Sequence, residues 1–193
     1  MASPSILGVV LAGGRSRRFG SDKAVAVWAG RTLVTRAADS LRSLCDDVVV
    51  VSSLHPDLPG VRTVPDTRPD EGPLAGIEAG LFVAEREDRD GVFVLACDMP
   101  AVDPEALRSL SEVFDGGRPV SAARAVEPGF EPLCAIYPAS YRAKASRLLD
   151  AGERAAWRLF SKAEGEVVEV GAIVNVNTPD EWSDLIGGEE IVP

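Results

Sequence analysis

Leu11-Ala12-Gly13-Gly14-Arg15-Ser16-Arg17-Arg18-Phe19-Gly20-Ser21-Asp22-Lys23-Ala24 is the stretch that decides how this chain is read. It leaves an apolar run, Ile6 to Leu11, that reads as a buried strand. It leads into Thr32–Leu44, where Leu33, Val34, Ala37, Ala38, Leu41 and Leu44 form one apolar stripe at helical spacing. A glycine pair leaving a strand lets backbone N–H groups approach a ligand closely, because no Cβ stands in the way. Arg15, Arg17, Arg18 and Lys23 add four cations. Amides and cations at the end of a first strand suit a polyphosphate, so the stretch is expected to be a nucleotide-binding loop.

Spacing separates this loop from two better-known ones. A Walker-type loop needs Gly-Lys followed by Ser or Thr, whereas Gly20 is followed by Ser21-Asp22-Lys23. A dinucleotide fingerprint needs Gly-x-Gly-x-x-Gly and an acidic residue closing the second strand. Here the glycines are adjacent, and the second strand ends Val50-Val51-Ser52-Ser53.

The chain has 193 residues and a formal net charge of −10. That length suits one α/β domain, and that charge argues against nucleic acid or an anionic membrane as partner. The basic loop is a local exception, suited to a small anionic ligand. Cys45, Cys97 and Cys134 are widely spaced with no C-x-x-C, which argues against zinc or a disulfide framework and fits a reducing cytoplasm. No basic segment precedes Ile6–Leu11, so the run is not expected to be a signal peptide, and no stretch has membrane-spanning length. A cytoplasmic protein is expected.

Strands alternate with helical patterns through the first two-thirds, as a largely parallel sheet requires. Strands are expected at Val48–Ser52, Val61–Val64 and from Val92 to Ala96, with helices at Leu74–Glu87 and Pro104–Phe114. Asp66 follows the third strand at the edge where open α/β sheets place ligands. Gly76 and Gly80 lie one helical turn apart and leave either a close packing face or room for a base or ribose. Asp98 ends an apolar strand at the same edge, and Mg²⁺ carried on nucleotide phosphates needs only one or two protein carboxylates. Asp103-Pro104 looks like the cap of the next helix, which leaves Asp98 for the metal. Cys97 reads as a core thiol, and the lone histidine, His55, receives no role.

The last third is less regular. Val120–Ala123 and Leu133–Tyr137 read as strands flanking an insertion, 124–132, able to wall off a second substrate. Helical patterns follow at Ser140–Ala151 and Arg154–Ala163, then a strand at Val167–Val170. Thr178-Pro179-Asp180-Glu181 is a capping box, which leaves Asn175 and Asn177 pointing the same way from an extended stretch. The segment from Gly187 to Pro193 is expected to fray.

Together these stretches resemble the molybdenum cofactor guanylyltransferase family over nearly the whole chain. Leu11-Ala12-Gly13-Gly14-x-Ser16-x-Arg18-Phe19-Gly20-x-Asp22-Lys23 is similar to the family signature at every fixed position. Gly72-Pro73-Leu74-Ala75-Gly76, Cys97-Asp98-Met99-Pro100, Ala151-Gly152-Glu153-Arg154 and Asn175-Val176-Asn177-Thr178-Pro179 resemble its later blocks. The resemblance implies one three-layer α/β/α sandwich with a mostly parallel, Rossmann-like sheet of the nucleotide-diphospho-sugar transferase type. Within it, 5–100 would form a nucleotide-binding half and 101–186 a pterin-substrate half.

The implied reaction joins Mg-GTP to molybdopterin and releases pyrophosphate. By the resemblance Leu11, Ala12, Gly13, Gly14 and Arg15 would contact base and phosphates, and Lys23 would bind phosphate. Asp66 would hold ribose or base, Asp98 would ligate Mg²⁺, and Asn175 and Asn177 would lie near the pterin. Lys23, Asp98 and Arg18 would be the catalytic set. The implied partners are GTP and molybdopterin, with transient contact to proteins that supply molybdopterin or accept the finished cofactor. The nearest competing readings are a relative using CTP on the same pterin or a nucleotide on a sugar or alcohol phosphate. A noncatalytic cofactor-binding module is another, whose expected mark is loss of Asp98 or Lys23.

Overall fold

A computed structural model describes residues 3–12, 23–28, 30–54, 58–99, 101–171, 173 and 181. Its centre is a seven-stranded sheet. The strands are β1 (Ile6–Leu11), β4 (Asp47–Val51), β5 (Arg62–Val64), β6 (Gly91–Ala96), β7 (Val120–Ala123), β8 (Phe130–Pro138) and β9 (Glu166–Val168). They lie in the order β5-β4-β1-β6-β8-β7-β9. Only β8 runs against its neighbours, β6 and β7; the other pairs are parallel. A two-stranded ribbon, β2 (Val27–Trp28) with β3 (Arg31–Thr32), follows the basic loop.

Alternation along the strands makes the layers. On β1, Ile6 and Val10 face one core together with α1 (Leu33–Leu41) and α3 (Pro104–Val113). Leu7, Val9 and Leu11 face the opposite core with α2 (Pro73–Arg86) and α4 (Arg142–Asp150). A strand buried on both faces reads as a continuous apolar run, which is why β1, β4 and β6 are plain in the sequence. The expected three-layer sandwich with a mostly parallel sheet is what forms. Among the described residues no helix is long and apolar enough to cross a membrane.

Helix starts follow their caps. Thr32 accepts a hydrogen bond from Thr35 N at 3.3 Å and begins α1, which ends at Leu41 rather than Leu44. Asp103 accepts from Glu105 N at 2.9 Å, with Pro104 in the first turn of α3, so this cap belongs to Asp103 as expected.

Two expectations in the last third are corrected. The 124–132 insertion is shorter, because β8 begins at Phe130 and Phe130–Pro132 belong to the sheet. A register irregularity between Ser121 and Ala122 accommodates the start of β8. The helix expected over Arg154–Ala163 is a single 3-10 turn, Ala156–Arg158. Glu153 takes the N–H groups of Arg154 and Ala155 at 2.9 and 3.1 Å, fixing a turn where a helix would have to continue. Ala156, Leu159 and Phe160 are buried at helix-like spacing, but Phe160 is held by Phe130, 4.5 Å away between ring centroids. The remaining pattern, Ser140–Ala151, starts as a 3-10 turn and becomes α4 at Arg142.

Candidate active site

β1, β4, β5 and β6 are parallel, so the residues that follow them leave at one edge of the sheet. Three backbone bonds tie those exits together: Ala12 N to Val51 O at 3.1 Å, Ser52 N to Val64 O at 3.1 Å, and Cys97 N to Leu11 O at 3.2 Å. The last bond matters most, because it fixes the Cys97–Asp98 turn against the final residue before the glycine loop. Asp98 therefore stands one residue from a direct contact with the loop's entry. Cys97 itself is half-buried against the core, as a structural thiol would be.

Ser52 is a linker at this edge that composition did not reveal. Its hydroxyl is buried and donates to Ala12 O at 3.3 Å, while its oxygen accepts from Leu54 N at 3.2 Å. It thus couples the ends of β1 and β4 through one side chain. The available signal was a polar residue closing an otherwise apolar strand.

Asp66 lies two residues beyond β5. Its Oδ1 accepts from Arg68 N at 2.9 Å, and its carbonyl oxygen accepts from Ser53 Oγ at 3.5 Å. An aspartate bonding the N–H two residues on shapes its own turn, and here it holds the half-buried carboxylate at the ligand edge. The turn is tethered further: Arg68 pairs with Asp150 at 2.8 Å, and Thr67 Oγ1 donates to the buried Glu78 at 3.3 Å.

The Ala151–Arg154 block reaches the residue just ahead of the Gly72–Gly76 block. Arg154 Nη2 lies 3.0 Å from Glu71 Oε1, and Arg154 Nη1 donates to Leu149 O at 2.9 Å, satisfying a carbonyl at the end of α4. Hydrogen bonds from the Ala155 and Arg154 N–H groups, with the Arg158 charge beside them, hold the Glu153 carboxyl below its ordinary range. Gly152-Glu153-Arg154 is a clasp between α4 and the turn that starts α2.

Gly76 and Gly80 prove to be packing residues. A Cβ on Gly76 would stand 3.0 Å from Leu11 Cδ2, and one on Gly80 would stand 2.8 Å from both methyls of Val9. The helix lies on β1, and no room for a base remains at these positions.

Gly13, Gly14, Arg15, Arg18, His55, Asn175 and Asn177 lie outside the described residues, as does most of the capping box at 178–181 and the 187–193 segment. Lys23 opens a 3-10 turn, Lys23–Val25, leading from the loop to the buried Ala24 and Ala26.

A carboxylate placed one step beyond the entry of a basic, glycine-led loop is an arrangement for handling a nucleoside triphosphate, and the class so defined is the nucleotidyltransferases. The chain belongs to the MobA-like NTP transferase domain family, which it matches over residues 8–167. It is 38% identical over 188 residues to a probable molybdenum cofactor guanylyltransferase of Deinococcus radiodurans, covering 94% of each chain. It is 34% identical over 183 residues to the molybdenum cofactor guanylyltransferase of Ectopseudomonas mendocina, covering 89% of this chain and 87% of that one. Its fold is similar to the crystal structure of molybdopterin-guanine dinucleotide biosynthesis protein A from Archaeoglobus fulgidus. That match has a TM-score of 0.73 and 25% identity, and covers 92% of this chain and 95% of the other.

Proposed function

We infer that this chain transfers GMP from GTP to the terminal phosphate of molybdopterin, releasing pyrophosphate and giving the guanine dinucleotide form of the cofactor. The observation that supports the reading is the Cys97–Leu11 hydrogen bond, which holds the turn carrying Asp98 against the end of β1 in a chain so similar to named guanylyltransferases. Relatives bearing that name favour it over the cytidylyl and noncatalytic alternatives.

The attacking phosphate is already ionised, so no strong general base is needed. Catalysis reduces to positioning and to neutralising charge on the α-phosphate and departing pyrophosphate. Lys23, Arg15 and Arg18 serve that neutralisation, and the Gly13-Gly14 amides cradle the phosphates. Asp66 orients ribose or base, and Asn175 and Asn177 meet the pterin. Asp98 would offer Mg²⁺ a hard carboxylate oxygen, the ligand type that cation takes. A cation delivered on phosphates needs no more than this. When bound, Mg²⁺ supplies charge stabilisation on the phosphoryl oxygens. In this reading 5–100 is the nucleotide half and 101–186 the pterin half.

Thermal unfolding with GTP, CTP, ATP and UTP, each with and without Mg²⁺, tests the assignment. A ligand binding only the folded state raises the midpoint according to its concentration relative to its dissociation constant. A shift confined to GTP and enlarged by Mg²⁺ is expected; a preference for CTP would overturn the product.

A further inference from the structure

Glu78 is 7% exposed and, among the described residues, the one charged side chain buried along α2. Leu74 and Leu81, one turn either way on the same face, are apolar. A carboxylate taken out of water is costly, and a well-packed apolar side chain of similar size is often no less stable in its place. Packing alone does not account for an acid here; its contacts do.

The Oε2 of Glu78 accepts from Thr67 Oγ1 at 3.3 Å, and its Oε1 lies 3.8 Å from Arg142 Nε of α4. Arg142 is held from its other side as well. It pairs with Glu85, and its Cζ lies 4.8 Å from the centre of the Phe82 ring. The carboxylate thus has a fixed cation on one side and the Thr67 hydroxyl on the other.

Thr67 is the middle residue of the turn that Asp66 makes with its own Oδ1, which accepts from Arg68 N at 2.9 Å. A tether at Thr67 acts between the two ends of that hydrogen bond and so fixes where the Asp66 carboxylate stands. Arg68 adds two ties, to Asp150 at 2.8 Å and to Ser146 Oγ at 3.4 Å. Asp150 is 64% exposed, and an ion pair so open to solvent contributes little. The buried anchor of the turn is Glu78.

We propose that Glu78 is a positioning residue for nucleotide binding: through Thr67 it holds the Asp66 turn in the conformation that meets ribose or base. This rests on the guanylyltransferase reading above, in which Asp66 touches the nucleotide. No bond changes and no proton moves in this role.

The test measures the GTP dissociation constant with Mg²⁺ by titration, beside the urea midpoint without ligand. The variants are Glu78→Leu, Glu78→Gln, Thr67→Val, Asp66→Ala, and Asp66→Ala paired with Glu78→Leu. Glu78→Leu leaves Arg142 its pair with Glu85, and Thr67 is exposed, so both changes are compatible with folding. Glu78→Leu and Thr67→Val are each expected to weaken GTP about fivefold, the range of one lost hydrogen bond. Glu78→Gln keeps an acceptor oxygen for Thr67 and is expected to stay within about twofold of the parent. Where Asp66 is already alanine, Glu78→Leu is expected to add less than about twofold, because residues that act through one another are not additive. A Glu78 that merely stabilised the fold would shift the urea midpoint and leave GTP affinity alone. Unchanged affinity in folded Glu78→Leu and Thr67→Val therefore overturns the proposal, as does a full further loss in the paired variant. A parent protein that binds no GTP, or a folded Asp66→Ala that binds it as tightly as the parent, overturns the underlying reading of Asp66, and the proposal falls with it.

Discussion

The carbonyl oxygen of Arg154 lies 3.2 Å from where a Cβ on Gly72 would stand. Gly72 has φ +80° and ψ −176°, a region that side-chain-bearing residues scarcely enter, and it starts α2. Strain and a backbone contact therefore coincide at the point where the α4 clasp meets the ligand edge. Gly72→Ala is expected to lower stability by about 1–3 kcal/mol from strain alone, with the contact adding to it. Gly60 is the comparison, since its φ is +72° and a Cβ added there would have nothing within 4 Å. Urea unfolding should show Gly72→Ala as the costlier change; equal costs would mean that the Arg154 contact contributes nothing.

Gly80→Ala tests the packing assignment. The added methyl would meet both methyls of Val9 at 2.8 Å on the central strand, where backbone and neighbours cannot yield cheaply. Overpacking of this kind costs about 1–3 kcal/mol. A lowered unfolding midpoint with unchanged GTP affinity is expected. Loss of GTP affinity at unchanged stability would restore the ribose reading.

How far the sequence carries depends on whether a contact is local. Buried strands β1 and β6 announce themselves as apolar runs, and Asp103-Pro104 announces α3. Asp98 stands out as a candidate because it follows such a run, whereas Leu11 becomes one only through the family resemblance. Glu131 and Pro132 do not look like strand residues, and it is the Arg124 guanidinium across the turn, with the Leu133 N–H, that lets Glu131 be buried in β8. Likewise Ala156, Leu159 and Phe160 imitate a helix stripe, while they are buried in the core shared with α2 and α4, Phe160 against the Phe130 ring. Ser52 acts through Ala12, forty residues away. Pairings across the sheet leave no periodicity to read.

Alkaline stability follows from Cys134. Burial pushes its thiol up to about 12, and the Glu131 charge adds to the shift. Tyr137, its neighbour in β8, is pushed up as well, by burial first and then by Glu131 and Cys134. Both groups hold their protons longer folded than unfolded. Their contribution is fully present below the unfolded thiol value near 9 and is lost as pH rises towards 12. Cys134 steepens the decline by about 1.4 kcal/mol per pH unit above its unfolded value, and Tyr137 joins it only above its own ordinary value near 10. The urea midpoint should fall above pH 9, less steeply in Cys134→Ala; parallel slopes would remove the thiol from the account.

Lys23→Ala should raise the GTP dissociation constant about tenfold or more, the cost of a lost charge-assisted contact. The chain after Lys23 is anchored by the buried Ala24 and Ala26, so the backbone of this turn is not expected to move. Titration at matched salt checks it, and an unchanged constant takes Lys23 out of the phosphate site.

Asp98→Asn separates charge from shape. The side chain keeps its size, and the Cys97–Leu11 bond that aims it is made by backbone alone, so the turn should persist. What is lost is the anionic oxygen proposed to hold Mg²⁺ at the α-phosphate. Removing one well-placed electrostatic stabiliser typically slows turnover about a hundredfold or more. Initial rates at saturating GTP, molybdopterin and Mg²⁺ are expected to fall at least that far, while the unfolding midpoint without ligand stays near the parent's. The Mg²⁺-dependent part of the GTP thermal shift should shrink with them. If turnover and that Mg²⁺ increment both survive, the metal is held elsewhere on this edge, and Asp66 becomes the next carboxylate to replace.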